Sequence, residues 1–600
     1  MKLNKFLLSA IAAASLTACS DSTDVVKNDK GQWNADGTGY VSLSISMPDN
    51  VASKGTRADG DADGSHNDKF NDGDLNEYAV YNATLVIFTS NNDDDAEGEY
   101  KLTAAYNLPL TFKSNDPAHD QISSISTATT QINSIGANYA KALVILNKPA
   151  SISLDETSHM ISLNNGTTDE SLRDITFSAF QKKATAVATE LNASAGFTMT
   201  NAPLTTYHST TTGVLSTSGG KTTTLADITT GNIKRTAAEA EANPAATIYV
   251  ERSVAKVTLA NTATGTLTSD ATVHYQVEGF ALDNTNEKSY IVRNADKTTT
   301  EWNSLKSQSN TVNSFADQYR FVGSTAVAGD LYRTYWAEDP NYSGKDGLST
   351  TPTAFKGKDE ALYCMENTFD VANQKAENTT RALVKVCFWK NDASKPETVP
   401  TLFMYNNDVK TLNGKTAFLT AAKNAVNNIP AVLAHNNGVE SITLTDEATS
   451  DYVEVSEVKY ANGTTETTGD IFNMIKNHFG KIAVYKEGIA YFPVLIKHFG
   501  DQLTPWNIEG AGKEWTTTQP SVGGVDKIYP DDANRDANYL GRYGVVRNNW
   551  YELKINSVKR PGKPSIDNPG NTPDDELESY ISVSINILSW AKRQQSVDLQ

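Results

Sequence analysis

Runs in which apolar and small polar residues strictly alternate recur along this 600-residue chain, and they restrict what it can fold into. Two of these runs are nearly the same, YVSLSISM at residues 40–47 and YISVSINI at residues 580–587. A period of two with β-branched residues on one face is typical of a strand that buries that face. The apolar positions are Val41, Leu43, Ile45 and Met47 in the first run, and Ile581, Val583, Ile585 and Ile587 in the second. The sequence therefore predicts two interchangeable strands far apart in the chain.

The composition favours a mainly β protein. Thr, Ser, Asn, Tyr and Val are abundant, whereas helical proteins are rich in Ala, Leu, Glu and Lys. A chain of this length exceeds what one hydrophobic core usually organises, so at least two domains are expected, with a boundary near residue 245 in the polar connector TAAEAEANPA. Thr- and Ser-rich stretches predict long loops. One helix is expected at about Leu172 to Leu191.

The first residues have the pattern of an export signal. Lys2 and Lys5 precede an apolar stretch from Phe6 to Leu16, and small residues precede Cys19. Leu16 to Cys19 resembles a bacterial lipobox, in which the Cys receives a lipid; an ordinary signal peptide is the alternative. Farther along, no stretch approaches the ~20 apolar residues needed to cross a bilayer. We therefore expect a protein that is held at a membrane only by a lipid on Cys19.

The charge balance excludes one class of partner. The formal net charge is −19, and Lys and Arg do not cluster. Because nucleic-acid binding depends on clusters of Lys and Arg that neutralise phosphates, we expect no nucleic-acid partner.

Aperiodic polar segments separate both alternating runs from the rest of the chain. A Gly- and Asp-rich loop follows residues 40–47 and contains Arg57, in a setting where proteases commonly cut. The Pro- and Gly-rich linker PGKPSIDNPGNTPDD stands before the run at residues 580–587. Either run could therefore detach from its neighbours.

Motifs of enzymes and metal sites are absent from the sequence. There is no HExxH, CxxC, GxSxG or GxxxxGK[ST] motif, so we expect no catalytic residues, no metal and no cofactor. Asp59, Asp61 and Asp63 before Gly64 begin like a calcium loop, but Phe70 stands where an EF-hand needs Glu. A solvated acidic linker is the favoured interpretation.

Two cysteines follow the signal. Cys364 and Cys387 could form a disulfide in an oxidising compartment, or they could be two buried free thiols. Their spacing does not decide between these alternatives.

The two alternating runs suggest a mechanism of assembly. If a β-sandwich lacks one strand, either run could fill the groove, from within the molecule or from a neighbouring molecule. A cut at Arg57 would release the internal strand, and head-to-tail addition of neighbours would then give a filament. The alternative is that both runs are ordinary edge strands.

The chain also resembles a known family, the fimbrillins of Bacteroidetes, and within it the branch of the major subunit of the minor fimbrium. The motifs that carry the resemblance span most of the chain: KALVILNKP, FTMTNAP, IYVERSVAKVTLA, YWAEDPNY, ALYCMENTFD and RYGVVRNNWYELKINSV. The resemblance implies two transthyretin-like β-sandwich domains with long loops and a few short helices. It also implies export as a lipoprotein, maturation by an arginine-specific or trypsin-like protease, and assembly into a type V pilus by donor-strand exchange.

Site residues follow from the resemblance by position. Cys19 is the lipidated residue, and Arg57 precedes the cleaved bond before Ala58, with Lys54 as the nearest substitute. The donor strand comprises Ile581, Val583, Ile585, Ile587, Leu588 and Trp590. The expected segments are a signal peptide (1–18), a propeptide with a removable strand (19–57), two sandwich domains (58–245 and 246–575) and the donor strand (576–600).

The expected role is that of a structural subunit of a cell-surface fimbria that supports adhesion and biofilm formation, from a precursor in the outer membrane. Its expected partners are further copies of itself, accessory fimbrial subunits, the maturation protease, and receptors on host or bacterial surfaces. The alternatives are an accessory or tip adhesin, and a surface glycan-binding lipoprotein that would carry exposed aromatic platforms.

Overall fold

The computed structural model describes most of the chain. The described residues are 32–46, 77, 79–109, 126–186, 191, 196–206, 208–209, 215–216, 222–267, 270–294, 331–333, 339–341, 348–368, 373–405, 408–496, 543–571, 581–589 and 591–592. Several residues named above lie outside these ranges, namely Cys19, Met47, Lys54, Arg57, the acidic run from Asp59 to Asp63, and Trp590.

Strands make up most of the regular structure, which confirms the expected mainly β class. In the first part of the chain they are β1 (Thr38–Ser46), β2 (Ala83–Ser90), β3 (Lys101–Asn107), β4 (Ser126–Asn133), β5 (Tyr139–Leu146), β6 (Ile152–Asp155), β7 (Met160–Asn164), β8 (Asp169–Ser171), β9 (Ala184–Ala186), β10 (Met199–Asn201), β11 (Leu204–Thr206), β12 (His208–Ser209), β13 (Leu215–Ser216), β14 (Thr222–Thr223), β15 (Ala226–Asp227) and β16 (Ala246–Arg252).

The remaining strands follow in chain order. They are β17 (Val254–Leu259), β18 (Thr264–Thr266), β19 (Val273–Asp283), β20 (Thr285–Asn286), β21 (Lys288–Tyr290), β22 (Leu331–Arg333), β23 (Leu348–Ser349), β24 (Ala361–Met365), β25 (Arg381–Lys390), β26 (Leu402–Tyr405), β27 (Asp408–Asn413), β28 (Val439–Leu444), β29 (Tyr452–Val453), β30 (Val455–Tyr460), β31 (Thr465–Glu466), β32 (Ile482–Tyr485), β33 (Ile489–Leu495), β34 (Trp550–Val558), β35 (Ile581–Ser589) and β36 (Ala591–Lys592).

Among the described residues, helices are few and mostly short. The α-helices are α1 (Phe177–Phe180), α2 (Ala237–Glu241), α3 (Gly414–Asn427), α4 (Pro430–Ala434) and α5 (Asp470–Phe479). Single 3₁₀ turns occur at Glu97–Glu99, Thr230–Asn232, Ala376–Asn378 and Lys486–Gly488. Within the described ranges, no helix has the length and apolar character needed to span a membrane.

The chain divides into two compact units. The first contains Met1–Ala58, Asp72–Ser253 and Tyr290–Glu338, and the second contains Asp59–Asn71, Val254–Ser289 and Asp339–Gln600. The division falls after Ser253, so β16 and the segment Tyr290–Glu338 belong to the first unit, whereas sequence analysis placed the boundary near residue 245.

One long sheet organises the first unit. Its strand order is β3-β2-β5-β10-β16-β1-β4, with β15 also paired to β5. The sheet curls so that its two end strands meet: the Asn133 amide in β4 donates to the Tyr106 hydroxyl in β3 at 3.0 Å. Side chains on the inner face, such as Leu43 and Leu85, share one core, whereas Val86 and Phe88 on the outer face pack in a second core. Strand β2 is therefore apolar on both faces.

Two sheets face each other in the second unit. One has the order β24-β17-β34-β35-β36 and the other the order β18-β19-β25-β33. Val257 of β17 and Leu553 of β34 share a single core with Val384 of β25 and Phe492 of β33. This arrangement is a β-sandwich, in which apolar side chains of two sheets interdigitate.

An α/β insertion between β25 and β33 has a core of its own. It contains α3 to α5, and its core includes Phe418, Val426, Ile442 and Phe472. Sequence analysis did not identify this insertion. A signal was present, because Phe418, Ala422 and Val426 recur at the four-residue spacing of a helix face and are the buried residues of α3.

The helix expected at about Leu172 to Leu191 is wrong. The chain has only α1 there, followed by β9, and residues 187–190 lie outside the described ranges. Asp174 has φ = +58°, which a right-handed helix excludes. Phe177 and Phe180 do not form a helix face but pack edge-on against the Phe88 ring, with ring centroids 5.2 and 5.6 Å from its centroid.

Cys364 and Cys387 are both free and buried. Cys364, in β24, lies inside the core between the two sheets of the second unit. Cys387, in β25, lies in a separate cluster with Trp389 and Val399, on the face of β25 opposite the core-facing Val386 and Phe388. Strand β25 separates the two thiols, so the chain contains the second of the two alternatives, a pair of buried thiols.

We expect neither thiol to react with iodoacetamide in a folded Cys19→Ser variant at about pH 8, because the thiolate is the reactive form. Burial raises the pKa of Cys364 to about 12 and raises that of Cys387 above its usual range. Intact mass should show that both thiols are alkylated in guanidinium without a reductant. A requirement for reductant in the unfolded chain would contradict this account.

Candidate functional site

The first alternating run forms an interior strand of the long sheet. Strand β1 lies between two partners, antiparallel to β4 from Thr38↔Asn133 to Ile45↔Ser126, and parallel to β16 from Leu43↔Ala246 to Ser46↔Tyr249. In its first half, a bridge to Lys234 replaces β16: the Tyr40 amide donates to the Lys234 carbonyl at 2.7 Å, and the Lys234 amide returns a bond at 3.0 Å. Both edges of β1 are thus hydrogen-bonded.

The apolar side chains of β1 are part of the inner core. Val41 and Leu43 are fully buried, and Ile45 is 2% exposed. Burial of each such side chain contributes about 1.5–3 kcal/mol, so the three together contribute roughly 5–9 kcal/mol before the cost of ordering the strand. Met47, the fourth apolar residue of the run, lies outside the described residues.

The polar face of β1 is less exposed than alternation predicts. Ser42 is fully buried; its hydroxyl accepts a hydrogen bond from the Thr129 hydroxyl at 3.1 Å, and its carbonyl accepts one from the Ala245 amide at 2.7 Å. Helix α2 lies against β1 and β4. The hydroxyl and the carbonyl of Ser42 therefore both have hydrogen-bond partners inside the fold.

A second anchor precedes the strand and was not identified by sequence analysis. The Trp33 ring packs against the inner core and lies directly over Gly39. A Cβ atom at position 39 would come within 2.8 Å of Trp33 Cε3, so this position requires glycine. Arg235 Nε also donates to the Trp33 carbonyl at 3.2 Å. The only signal was a lone Trp in a polar run.

A turn sets the start of β1. Asp36 Oδ1 accepts hydrogen bonds from the Thr38 amide at 3.0 Å and the Thr38 hydroxyl at 2.7 Å. These bonds, the side-chain bond first, lower the pKa of Asp36. Gly37 has φ = +81°, and the Asn34 amide donates to the Thr38 carbonyl at 2.8 Å. Residues 32–46 are therefore held as one continuous segment.

Both ends of the segment that contains Arg57 are fixed near one end of β16. The chain leaves the sheet at Ser46, which pairs with Tyr249. It returns at Glu77, which is fully buried and whose carbonyl accepts a bond from Arg252 Nε at 2.7 Å. Arg57 itself lies outside the described residues.

Loss of β1 would leave β4 without its sheet partner. Strand β4 is the last strand of the sheet order, and β1 is its only paired strand among the described residues. The vacated groove would have β4 on one side and β16 on the other, with the inner core as its floor. An incoming strand must run parallel to β16 and antiparallel to β4.

The second alternating run lies in a different sheet. Strand β35, which carries Ile581, Val583, Ile585, Ile587 and Leu588, pairs antiparallel with β34 from Tyr551↔Ile587 to Val558↔Ile581. The strand continues past Ile587 to Ser589. Leu588 also pairs with Lys592 of β36, and Ser589 pairs with Ala591.

The described residues contain no set of three or more His, Cys, Asp or Glu side chains placed to hold a metal ion. The two alternating runs belong to different units and are not brought together in one sheet. The candidate functional site is therefore the groove in the first unit that β1 fills.

The carboxy-terminal segment has an identifiable similarity. Residues 528–596 match the family model described as "Major fimbrial subunit protein type IV, Fimbrillin, C-terminal". This part of the chain is fimbrillin-like. The matched range contains β34, β35 and β36. The comparison with curated protein sequences finds no match.

Solved structures give only remote similarity. Two structures of candidate cell adhesion proteins from Parabacteroides distasonis match 92% of this chain and 96% and 100% of their own, at TM-scores of 0.34 and 0.32 and identities of 12% and 10%. A third, from Bacteroides eggerthii, has a TM-score of 0.29 and 10% identity over 92% of this chain and 96% of its own. At TM-scores this low, the architecture follows from the strand pairing alone.

We expect Leu43→Ala to destabilise the first unit by about 2–5 kcal/mol, because it opens a cavity in the inner core beneath β1. Ser44→Ala, one residue along and on the opposite face, should change stability by less than about 0.5 kcal/mol. Calorimetry should show one thermal transition lowered by Leu43→Ala and none lowered by Ser44→Ala. Equal shifts for the two variants would contradict the burial of β1.

Proposed function

We propose that this protein is a structural, non-enzymatic subunit of a cell-surface fimbria, built by exchange of strand β1 for the tail of a neighbouring copy. The observation that carries the proposal is β1 itself, which fills an interior groove although a long cleavable segment follows it. The fimbrillin-type match at residues 528–596 supports the same role.

Maturation would proceed through the segment between Ser46 and Glu77. The precursor would be an outer-membrane lipoprotein anchored through Cys19, and a protease would cut between Arg57 and Ala58, or after Lys54. Glu77 is tied to Arg252, so the cut leaves the rest of the first unit attached to β16. The released part, residues 19–57, would carry β1 away.

The tail fits the groove by pattern. When Tyr580 is aligned with Tyr40, Ile581 takes the place of Val41, Val583 that of Leu43, and Ile585 that of Ile45. Ile587 would then take the place of Met47, with Leu588 and Trp590 beyond it. The exchanged side chains are apolar and mostly β-branched, as a strand that buries one face requires.

The leader has one anchor that the tail lacks. Trp33 stands seven residues before Tyr40, and the corresponding residue before Tyr580 is Pro573. While the leader remains attached, its effective concentration is also on the order of millimolar, so a neighbour's tail in dilute solution cannot displace it. Cleavage after Arg57 removes this advantage and starts polymerisation.

The wider role follows from display of the polymer at the cell surface. We propose adhesion and biofilm formation as its outcomes, with accessory fimbrial subunits and host or bacterial receptors as partners, and membership of the minor-fimbrium major-subunit branch. The phrase "cell adhesion protein" in the names of the solved structures is consistent with this role.

We expect Arg57→Ala to keep the purified precursor monomeric after treatment with an arginine-specific protease. The wild type should lose residues up to Arg57, acquire an amino terminus at Ala58 and form filaments visible by electron microscopy. Lys54→Ala is the matched control and should polymerise like the wild type. Filaments formed by Arg57→Ala at the wild-type rate would contradict the proposal, and a cleaved wild type that stays monomeric would favour a glycan-binding lipoprotein.

Cysteine cross-linking tests the donor register. Ser44 pairs with Thr127 in β4, and the alignment puts Ser584 of a neighbour at the position of Ser44. A Ser584→Cys and Thr127→Cys variant should therefore form disulfide-linked ladders after cleavage, and the native thiols, being buried, should not interfere. Ser584→Cys with Thr130→Cys, which is three residues out of register, is the control. Equal ladders from both variants would contradict the register.

A further inference from the structure

A buried polar cluster in the second unit has no part in the groove. It contains the acids Asp339 and Glu366, which are 3% and 2% exposed, and the amides Asn286 and Asn341, which are 2% and 8% exposed. Arg547, 2% exposed, lies beside Glu366. Buried charges are costly unless they are paired or coordinate a metal, so this cluster requires an explanation.

Asp339 is hydrogen-bonded as an ionised carboxylate. Its Oδ1 accepts from the Asn341 amide at 2.7 Å, and its Oδ2 accepts from the Thr368 amide at 2.7 Å and the Thr368 hydroxyl at 3.4 Å. Both oxygens are thus acceptors, which is the arrangement that favours the charged form. Protonation of Asp339 would weaken the bonds that its protonated oxygen accepts.

The positive charge in the cluster is directed to Glu366. Arg547 donates its main-chain amide to Glu366 Oε2 at 3.2 Å, and Arg547 Nε lies 3.7 Å from Glu366 Oε1. Asp339 forms no ion pair with any described residue. Burial, and then the nearby charge of Glu366, raise the pKa of Asp339 to about 7 despite its hydrogen bonds. When Asp339 is ionised, no described cation is therefore paired with its charge.

The cluster also has more acceptors than donors. The Asn286 side-chain nitrogen, Nδ2, donates to the main-chain carbonyl of Glu366. The Asn286 side chain also contacts the Asp339 carboxylate. The Asn341 side-chain nitrogen, Nδ2, donates to the Lys288 carbonyl at 3.2 Å. The side-chain oxygens of Asn286 and Asn341 are both buried and have no hydrogen-bond donor among the residues that the structure describes.

We propose that the Asp339 carboxylate and the side-chain oxygens of Asn286 and Asn341 form a calcium site. A cation would balance the Asp339 charge and at the same time satisfy both amide oxygens. Water could bond to the amide oxygens, but it would leave the charge uncompensated. The proposal does not depend on the proposed fimbrial function.

Calcium suits this ligand set better than magnesium. Ca²⁺ accepts six to eight oxygen ligands in flexible geometry, including amide and main-chain carbonyls, whereas Mg²⁺ demands a near-ideal octahedron and keeps most of its water. Only Asp339 among the three ligands is charged, with Glu366 adding its field. Such a low charge predicts weak binding, with a dissociation constant on the order of 10⁻⁴–10⁻³ M, as in extracellular modules.

Calcium binding can be tested on the full chain after treatment with EDTA. We expect the thermal midpoint of the wild type to rise when calcium is restored to about tenfold above the dissociation constant. Asp339→Asn, which keeps the size and removes the charge, should weaken binding at least tenfold by equilibrium dialysis and abolish the shift. Asp61→Asn is the control, since it tests the acidic linker, and it should leave the shift unchanged.

A second variant keeps the test decisive if Asp339→Asn does not fold. Asn341→Asp adds a carboxylate to the ligand set, so its calcium affinity should exceed that of the wild type by about tenfold or more, in line with the effect of ligand charge. Without an ion site, Asn341→Asp would only bury a second unpaired charge and would be unstable with or without calcium. No calcium shift in the wild type, equal shifts in the wild type and Asp339→Asn, or an Asn341→Asp variant that calcium fails to stabilise would overturn the proposal.

Discussion

The two-sided pairing of β1 is the interaction on which the first unit depends. This strand joins β4 to the rest of the sheet, and its apolar side chains complete the inner core. A strand at a sheet edge can leave while the remaining strands stay paired. The departure of an interior strand exposes two hydrogen-bonding edges and a row of apolar positions at once. The vacated groove would therefore strongly favour a replacement strand.

The two alternating runs are similar in sequence and differ in setting. Strand β1 has β4 and β16 on its two sides and a Trp33 anchor before it. Among the described residues, strand β35 pairs with β34 and otherwise only with the short strand β36. The run that our proposal removes is thus more firmly integrated than the run that it donates. Proteolysis of the connecting segment, rather than weak packing of β1, is what our proposal requires for its release.

Much of the fold could be predicted from local pattern, and the rest depends on distant contacts. Alternation identified β1, and the apolar run at residues 83–90 is a strand buried on both faces. The prediction of a helix after Leu172 was wrong because Phe177 and Phe180 pack on Phe88, which is far away in the sequence. Trp33 and the buried Ser42 were missed for the same reason. The cluster around Asp339 combines residues from separate segments, so no local motif could reveal it.

Hydrogen exchange at the main-chain amides of β4 tests the central claim most directly. In the precursor, these amides are shielded by pairing with β1. Our account predicts that they exchange rapidly once the leader has been cut and removed, and that they are protected again in the assembled polymer. Amides of β2, in the middle of the same sheet, should stay protected throughout. If β4 keeps its full protection after the leader has gone, no groove has opened and the account is wrong.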